Sequence, residues 1–224
     1  MVAILVLTTF VIFVLVDYYF QRRAPQRVET VSAHGQGEEE VGFPINVVGG
    51  FKLPAHLSYH PGHTWAMKEA PGVVRIGLDD FAARLMGKVD VLELPERRHW
   101  VRQGEKGWTI TRGSHRFQML SPIEGEIIDV NMEAIQNPEL VHDDPFGEGW
   151  LLEVHAPAAD GNLKNLLRGR LAQRWMEESV MALQGKIDGH AGVYLQDGGH
   201  AVPDVLARVP EERWDALLRE FFLS

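Results

Sequence analysis

Between Tyr59 and Leu167 the chain is punctuated into short runs rich in β-branched and aromatic residues: "VVRIGLDDF" (73–81), "KVDVLELP" (88–95), "WTITR" (108–112), "RFQML" (116–120), "GEIIDVN" (125–131) and "WLLEVHA" (150–156). Turn residues separate them, and none is long enough to be stable without a neighbour. Their spacing predicts a mainly β fold, a compact antiparallel sandwich or flattened barrel. One interruption is helical. "LDDFAARLMG" sets Leu78, Phe81, Ala82 and Leu85 on one face, and Gly87 ends it.

After Ala156 the apolar period changes. Leu163, Leu166, Leu167, Leu171, Trp175, Val180 and Leu183 form a helical stripe with a break at Gly169. "GVYLQDGGHAV" predicts two small strands across an Asp197-Gly198-Gly199 turn. The last stretch, "VPDVLARVPEERWDALLREFFL", predicts two helical pieces, with Pro210, Glu211 and Glu212 making a favourable N-terminal turn. Trp214, Leu217, Leu218, Phe221 and Phe222 share one face, which is assigned to core packing.

The N-terminus is of another kind. Val2 to Val16 carries no charge, and at about 1.5 Å per residue Met1 to Phe20 reaches a hydrocarbon thickness of roughly 30 Å. No positive charge precedes the run, and bulky Asp17-Tyr18-Tyr19-Phe20 follows where a cleavage site would need small residues, so an uncleaved transmembrane helix is expected. Arg22, Arg23 and Arg27 flank only its C-terminal side. The positive-inside rule then gives a single-pass cell-membrane protein with its bulk in the cytoplasm. The resulting divisions are an anchor over 1–22, a Pro-, Gly- and Glu-containing linker over 23–50, a β domain over 51–168 and a mostly helical C-terminal extension over 169–224.

Several functions are disfavoured. A formal charge of -9 argues against a nucleic-acid-binding surface. With no cysteine, disulfides, thiolate metal sites and Cys nucleophiles are excluded. His56, His60 and His63 cluster, but no carboxylate completes a ligand set at familiar spacing, so packing is preferred and no metal is expected. Asp143, Asp144 and Glu148 do not fit an EF-hand loop and suggest a turn packed on the β domain. No GxSxG, P-loop or HExxH pattern occurs, and no catalytic residue is assigned.

Particular residues carry a family resemblance. His63-x-Trp65, "RIGLDDFAARLMGKVDVLELP" (75–95), Gly104-Glu105, "LSPIEGEIIDVN" (120–131) and above all "NPELVHDDPFGEGWLLEV" (137–154) resemble the H protein of the glycine cleavage system, a carrier of the biotinyl/lipoyl-like barrel fold. The resemblance covers about half of the chain and leaves out the anchor, the linker and the last sixty or so residues. It implies a β-hairpin whose tip presents a lysine, in a context like Glu-Ser-x-Lys-Ala, for attachment of lipoate. Ungapped alignment from "SPIEGE" puts Ser114 at that lysine's place and Thr111 at that of its acidic companion.

The six lysines, Lys52, Lys68, Lys88, Lys106, Lys164 and Lys186, all lie away from the tip. Making Lys106 the tip would require an eight-residue slip that breaks the alternation of two strands. Arg112, Ser114, His115 and Arg116 are expected to be polar and exposed. Under this resemblance no lipoate is expected, and the chain is a membrane-anchored, non-catalytic H-like interaction or assembly module with protein partners, beside a membrane redox complex. The alternative is a working H-type carrier moving an aminomethyl group on lipoate at another lysine. An enzyme using Ser114 and His115 is disfavoured, because adjacent side chains on a strand point to opposite faces.

Overall fold

Val73–Leu78 (β5) occupies the centre of the main sheet. In the computed structural model, which describes residues 43–187 and 202–223, β5 pairs antiparallel with Thr64–Ala70 (β4) on one side and Leu152–His155 (β11) on the other. Ser58–His60 (β3) continues the sheet beyond β4. Gly125–Val130 (β10) and Trp100–Val101 (β7) continue it beyond β11, giving the order β3-β4-β5-β11-β10-β7. The period-2 pattern explains why these runs form strands. Ala66, Ile76 and Leu152 are matched across neighbours and all buried, while Arg75 and Glu153 on the opposite face pair at 2.9 Å.

Two smaller antiparallel sheets accompany it: Ile45–Val48 (β1) with Phe51–Pro54 (β2), and Val91–Glu93 (β6), Lys106–Arg112 (β8) and His115–Leu120 (β9) in the order β6-β8-β9. The antiparallel β architecture agrees with the sequence. Among the described residues the strands are hydrogen-bonded as three sheets, a curled half-barrel and not a closed one. β1 lies within the segment assigned to the linker, because Ile45 to Val48 finds a pairing partner across Gly49-Gly50.

The strand predicted over 73–81 ends at Leu78, where Asp79 turns the chain into Asp80–Met86 (α1). The Asp79 carboxylate accepts a hydrogen bond from Ala82 N at 2.8 Å, as an N-cap should. Gly87 closes the helix at φ +60°, and a Cβ there would lie 2.2 Å from the Asp204 carboxylate carbon, so glycine is required at this position. Two short helices, Met132–Gln136 (α2) and Glu139–Asp143 (α3), do not follow from the sequence pattern, whereas Ala159–Lys164 (α4) falls in the helical stretch read before the break at Gly169. Asn131 caps α2 and its amide donates to Glu148 O and Trp150 O, while Trp65 Nε1 donates to Pro145 O. The "DDPFGEGW" stretch is thus a packed turn on the β domain, with Asp144 accepting from Gly147 and Glu148 N–H.

The C-terminal stretch is helical as predicted, though it is not a separate appendage. Gly169–Lys186 (α5) begins at the expected break, Gly169, and Leu167 is bridged to Tyr59 by two backbone hydrogen bonds. Trp214–Phe222 (α6) buries Leu217, Leu218, Phe221 and Phe222, leaving Trp214 half-buried. These residues belong to the same continuous apolar cluster as the strands. Each fully buried Leu or Phe contributes about 1.5–3 kcal/mol, so the described C-terminal residues are part of what stabilises the domain. The anchor over 1–22, most of the linker and the Asp197-Gly198-Gly199 turn lie outside the described residues. Among the described residues no helix is long and apolar enough to cross a membrane.

Candidate functional site at the hairpin tip

The β8–β9 hairpin pairs Ile110 with Phe117 and Arg112 with His115, so its loop is Gly113-Ser114. Gly113 takes φ +58°, which the first residue of so short a loop needs and which a glycine adopts without strain. Ser114 therefore sits at the tip itself, exposed. Lys106 starts β8 opposite Leu120, six residues and roughly 20 Å by strand geometry from Arg112 at the base of the loop, so this hairpin does not carry Lys106 at its tip.

The residues beside Ser114 do not remain free and exposed, in contrast to the sequence expectation. Arg112 makes a two-pronged ion pair with Asp204, at 2.8 and 2.9 Å, donates to Met86 O, and stacks its guanidinium 4.5 Å from the Trp214 ring centre. His115 is held on both ring nitrogens, Nδ1 by Asp215 at 2.8 Å and Nε2 by Glu211 at 3.0 Å. Arg112 and His115 keep only 13% and 16% of their side-chain exposure, whereas Arg116, paired with Glu93, is exposed. The Asp215 hydrogen bond first, and Glu211 second, raise the His115 pKa above its ordinary value and favour imidazolium. The chain that follows Val202 thus straps the base of the hairpin tip from both sides.

This arrangement leaves no ring nitrogen of His115 to activate Ser114, so the two do not make a nucleophile–base pair. The other histidines diverge. His63 is buried, with Nδ1 at 2.8 Å from Asp79 and its ring stacked 4.1 Å from Phe81 and tilted 4.6 Å from Trp175. His60 Nδ1 accepts from Gly62 N and its pKa is lowered, mainly by burial. His56 stacks on Phe43, and burial lowers it too. Thr111 pairs across the strands with Arg116. Sequence reasoning missed Asp204, Glu211, Trp214 and Asp215 as partners of the tip. The sequence marks that region only by the Pro210-Glu211-Glu212 helix start and the apolar face that begins at Trp214, and no local spacing marks contacts made 92 to 100 residues apart.

The family model for the glycine cleavage H-protein matches residues 57–179, just over half of the chain. The chain belongs to the glycine cleavage H-protein family. Relatives include glycine cleavage system H proteins of Marinobacter nauticus, 32% identical over 52% of this chain and 88% of theirs, and of Thermus thermophilus, 34% identical over 57% and 98%. The H protein of Thermobifida fusca is 38% identical over 46% of this chain and 80% of its own. A crystal structure of an H protein from Mycobacterium marinum is similar at 29% identity and a TM-score of 0.44, covering 46% of this chain and 86% of that one. Arg112 and His115 fall inside the family match, whereas Asp204, Glu211, Trp214 and Asp215 fall beyond it.

Proposed function

We propose that this H-family chain is a non-catalytic docking or assembly module, held at a membrane, that carries no lipoyl group. The observation that carries the reading is the hairpin tip: an exposed Ser114 flanked by Arg112 and His115, both fastened to the C-terminal stretch. Lipoylation joins a lysine amine in an amide. A serine hydroxyl offers only an ester. None of the described lysines lies on the loop, and Lys68 and Lys186 are ion-paired to Asp160 and Glu220. The apolar N-terminal run supports membrane attachment, with the arginines after it favouring a cytoplasmic body.

The second reading is a working carrier of the glycine cleavage type, loaded on an unexpected lysine. Family membership and the names of the relatives weigh more for this than for the docking module, and the tip's chemistry weighs against it. Mild detergent extraction of the native protein tests the docking reading: co-migration with a stable partner is expected, and migration alone contradicts it. Intact mass after co-expression with lipoyl ligase and lipoate tests the carrier reading, which needs a lipoyl group on a lysine.

A further inference from the structure

Beside the strapped tip, a cleft of about 600 Å³ opens between the outer face of β8–β9 and α6. Its walls carry Lys106, Arg116 and Arg219 together with the carboxylate of Asp215, and Ser114 and Gln118 also line it. On a chain of net charge -9 the cleft brings three such cations together beside a few carboxylates. The carboxylates nearby are already engaged: Asp215 and Glu211 by His115, Glu93 by Arg116. After that pairing Lys106 and Arg219 have no carboxylate partner among the described residues, and both are exposed. The cleft is open and polar, whereas sites for free small molecules are enclosed and largely apolar. Two unpaired cations on different elements, Lys106 at the start of β8 and Arg219 on α6, suit a ligand that meets them at separate points and brings its own surface to exclude water.

We infer that this cleft receives an acidic, extended peptide segment of a protein partner, its carboxylates meeting Lys106 and Arg219. The inference rests on the docking reading above and names the chemistry of the partner. α6, which forms one wall, is held by the His115 contacts to Asp215 and Glu211, so the cleft is formed before the peptide arrives and little ordering is needed on binding.

The test uses the full chain in detergent micelles and a fluorescein-labelled peptide of alternating Glu-Glu and Gly, followed by anisotropy at low salt. Binding is expected, with the Lys106→Ala/Arg219→Ala variant weakened at least about fivefold by loss of two exposed pairings. Removing two other exposed cations by Arg170→Ala/Arg174→Ala, on α5, is expected to change affinity less than about twofold, since those side chains lie on another surface. Equal weakening by both variants, or no binding at low salt, overturns the inference. So does competition by inorganic pyrophosphate at concentrations no higher than the unlabelled peptide needs, which would assign the cleft to a small free anion. Thermal melting of each variant excludes unfolding as the cause. A failed peptide assay on protein of unmodified intact mass removes only this inference. A lipoyl group found on the protein removes the docking reading itself.

Discussion

Two histidine–carboxylate contacts lie on opposite sides of the burial divide. His63 faces Asp79 at 2.8 Å inside the core, both essentially inaccessible, while His115 faces Asp215 at the same distance with Asp215 59% exposed. The inner contact is built by local sequence: Asp79 caps α1 through one carboxylate oxygen and meets His63 through the other, so the strand-to-helix corner and the ring stack on Phe81 are fixed together. The outer contact joins residues 100 apart, and its partner Glu211 comes from the same distant stretch. The same pair of side chains therefore does two jobs. In the core it specifies the fold; at the surface it fastens a distant piece of chain to the hairpin, where water weakens each ion pair and several must act together.

That contrast can be broken most severely in the apolar contacts beneath both pairs. Phe222→Ala is expected to cost about 3–5 kcal/mol in urea unfolding and to lower a single cooperative transition. An unchanged main transition, with only the C-terminus fraying, would make residues 202–223 an appendage. Asp79→Ala removes a helix cap and the partner of a buried ring nitrogen, for an expected loss of about 2–4 kcal/mol. A loss under about 1 kcal/mol would show that the inner contact has no special weight. Arg112→Ala, which gives up the bidentate Asp204 pair, is expected to lose about 1.5–3 kcal/mol, and hydrogen exchange should speed up in residues 202–223 before it does in β4, β5 and β11.

The smallest expected effect is a pH dependence of the outer contact. The His115 pKa is raised in the folded state, so its contribution is fully present below the ordinary histidine value of about 6.5 and is lost as pH rises through the folded value. The stability advantage of the wild type over His115→Asn should therefore shrink from acid to mildly alkaline pH. An advantage that grows with pH has the wrong sign for a clamp made by imidazolium.

The same divide explains what the sequence discloses. The Asp79-to-Gly87 helix is legible because its cap, apolar spacing and terminating glycine all lie within ten residues. The strands from Lys106 to Val130 are legible from β-branched and aromatic alternation, and the hairpin loop from its glycine. β1 shows in the sequence only as a return of apolar residues from Ile45, because its outward face repeats Ile45 and Val47, both exposed, and gives no alternation. α2 and α3 are five residues each, too short to show a period. Ser114 at the tip follows from counting back along a hairpin. The strap over Arg112 and His115 does not, since a lone Asp204 or Asp215 carries no mark of a partner so far upstream.

What the hairpin tip bears decides between a docking module and a carrier. Wild-type chain and a Thr111→Glu/Ser114→Lys variant, each co-expressed with lipoyl ligase and supplied with lipoate, should be compared by intact mass and peptide mapping. The expected result is an unmodified wild type beside a variant that gains a lipoyl group at position 114. A lipoyl group mapped to any lysine of the wild type would contradict the account and return this chain to the carriers.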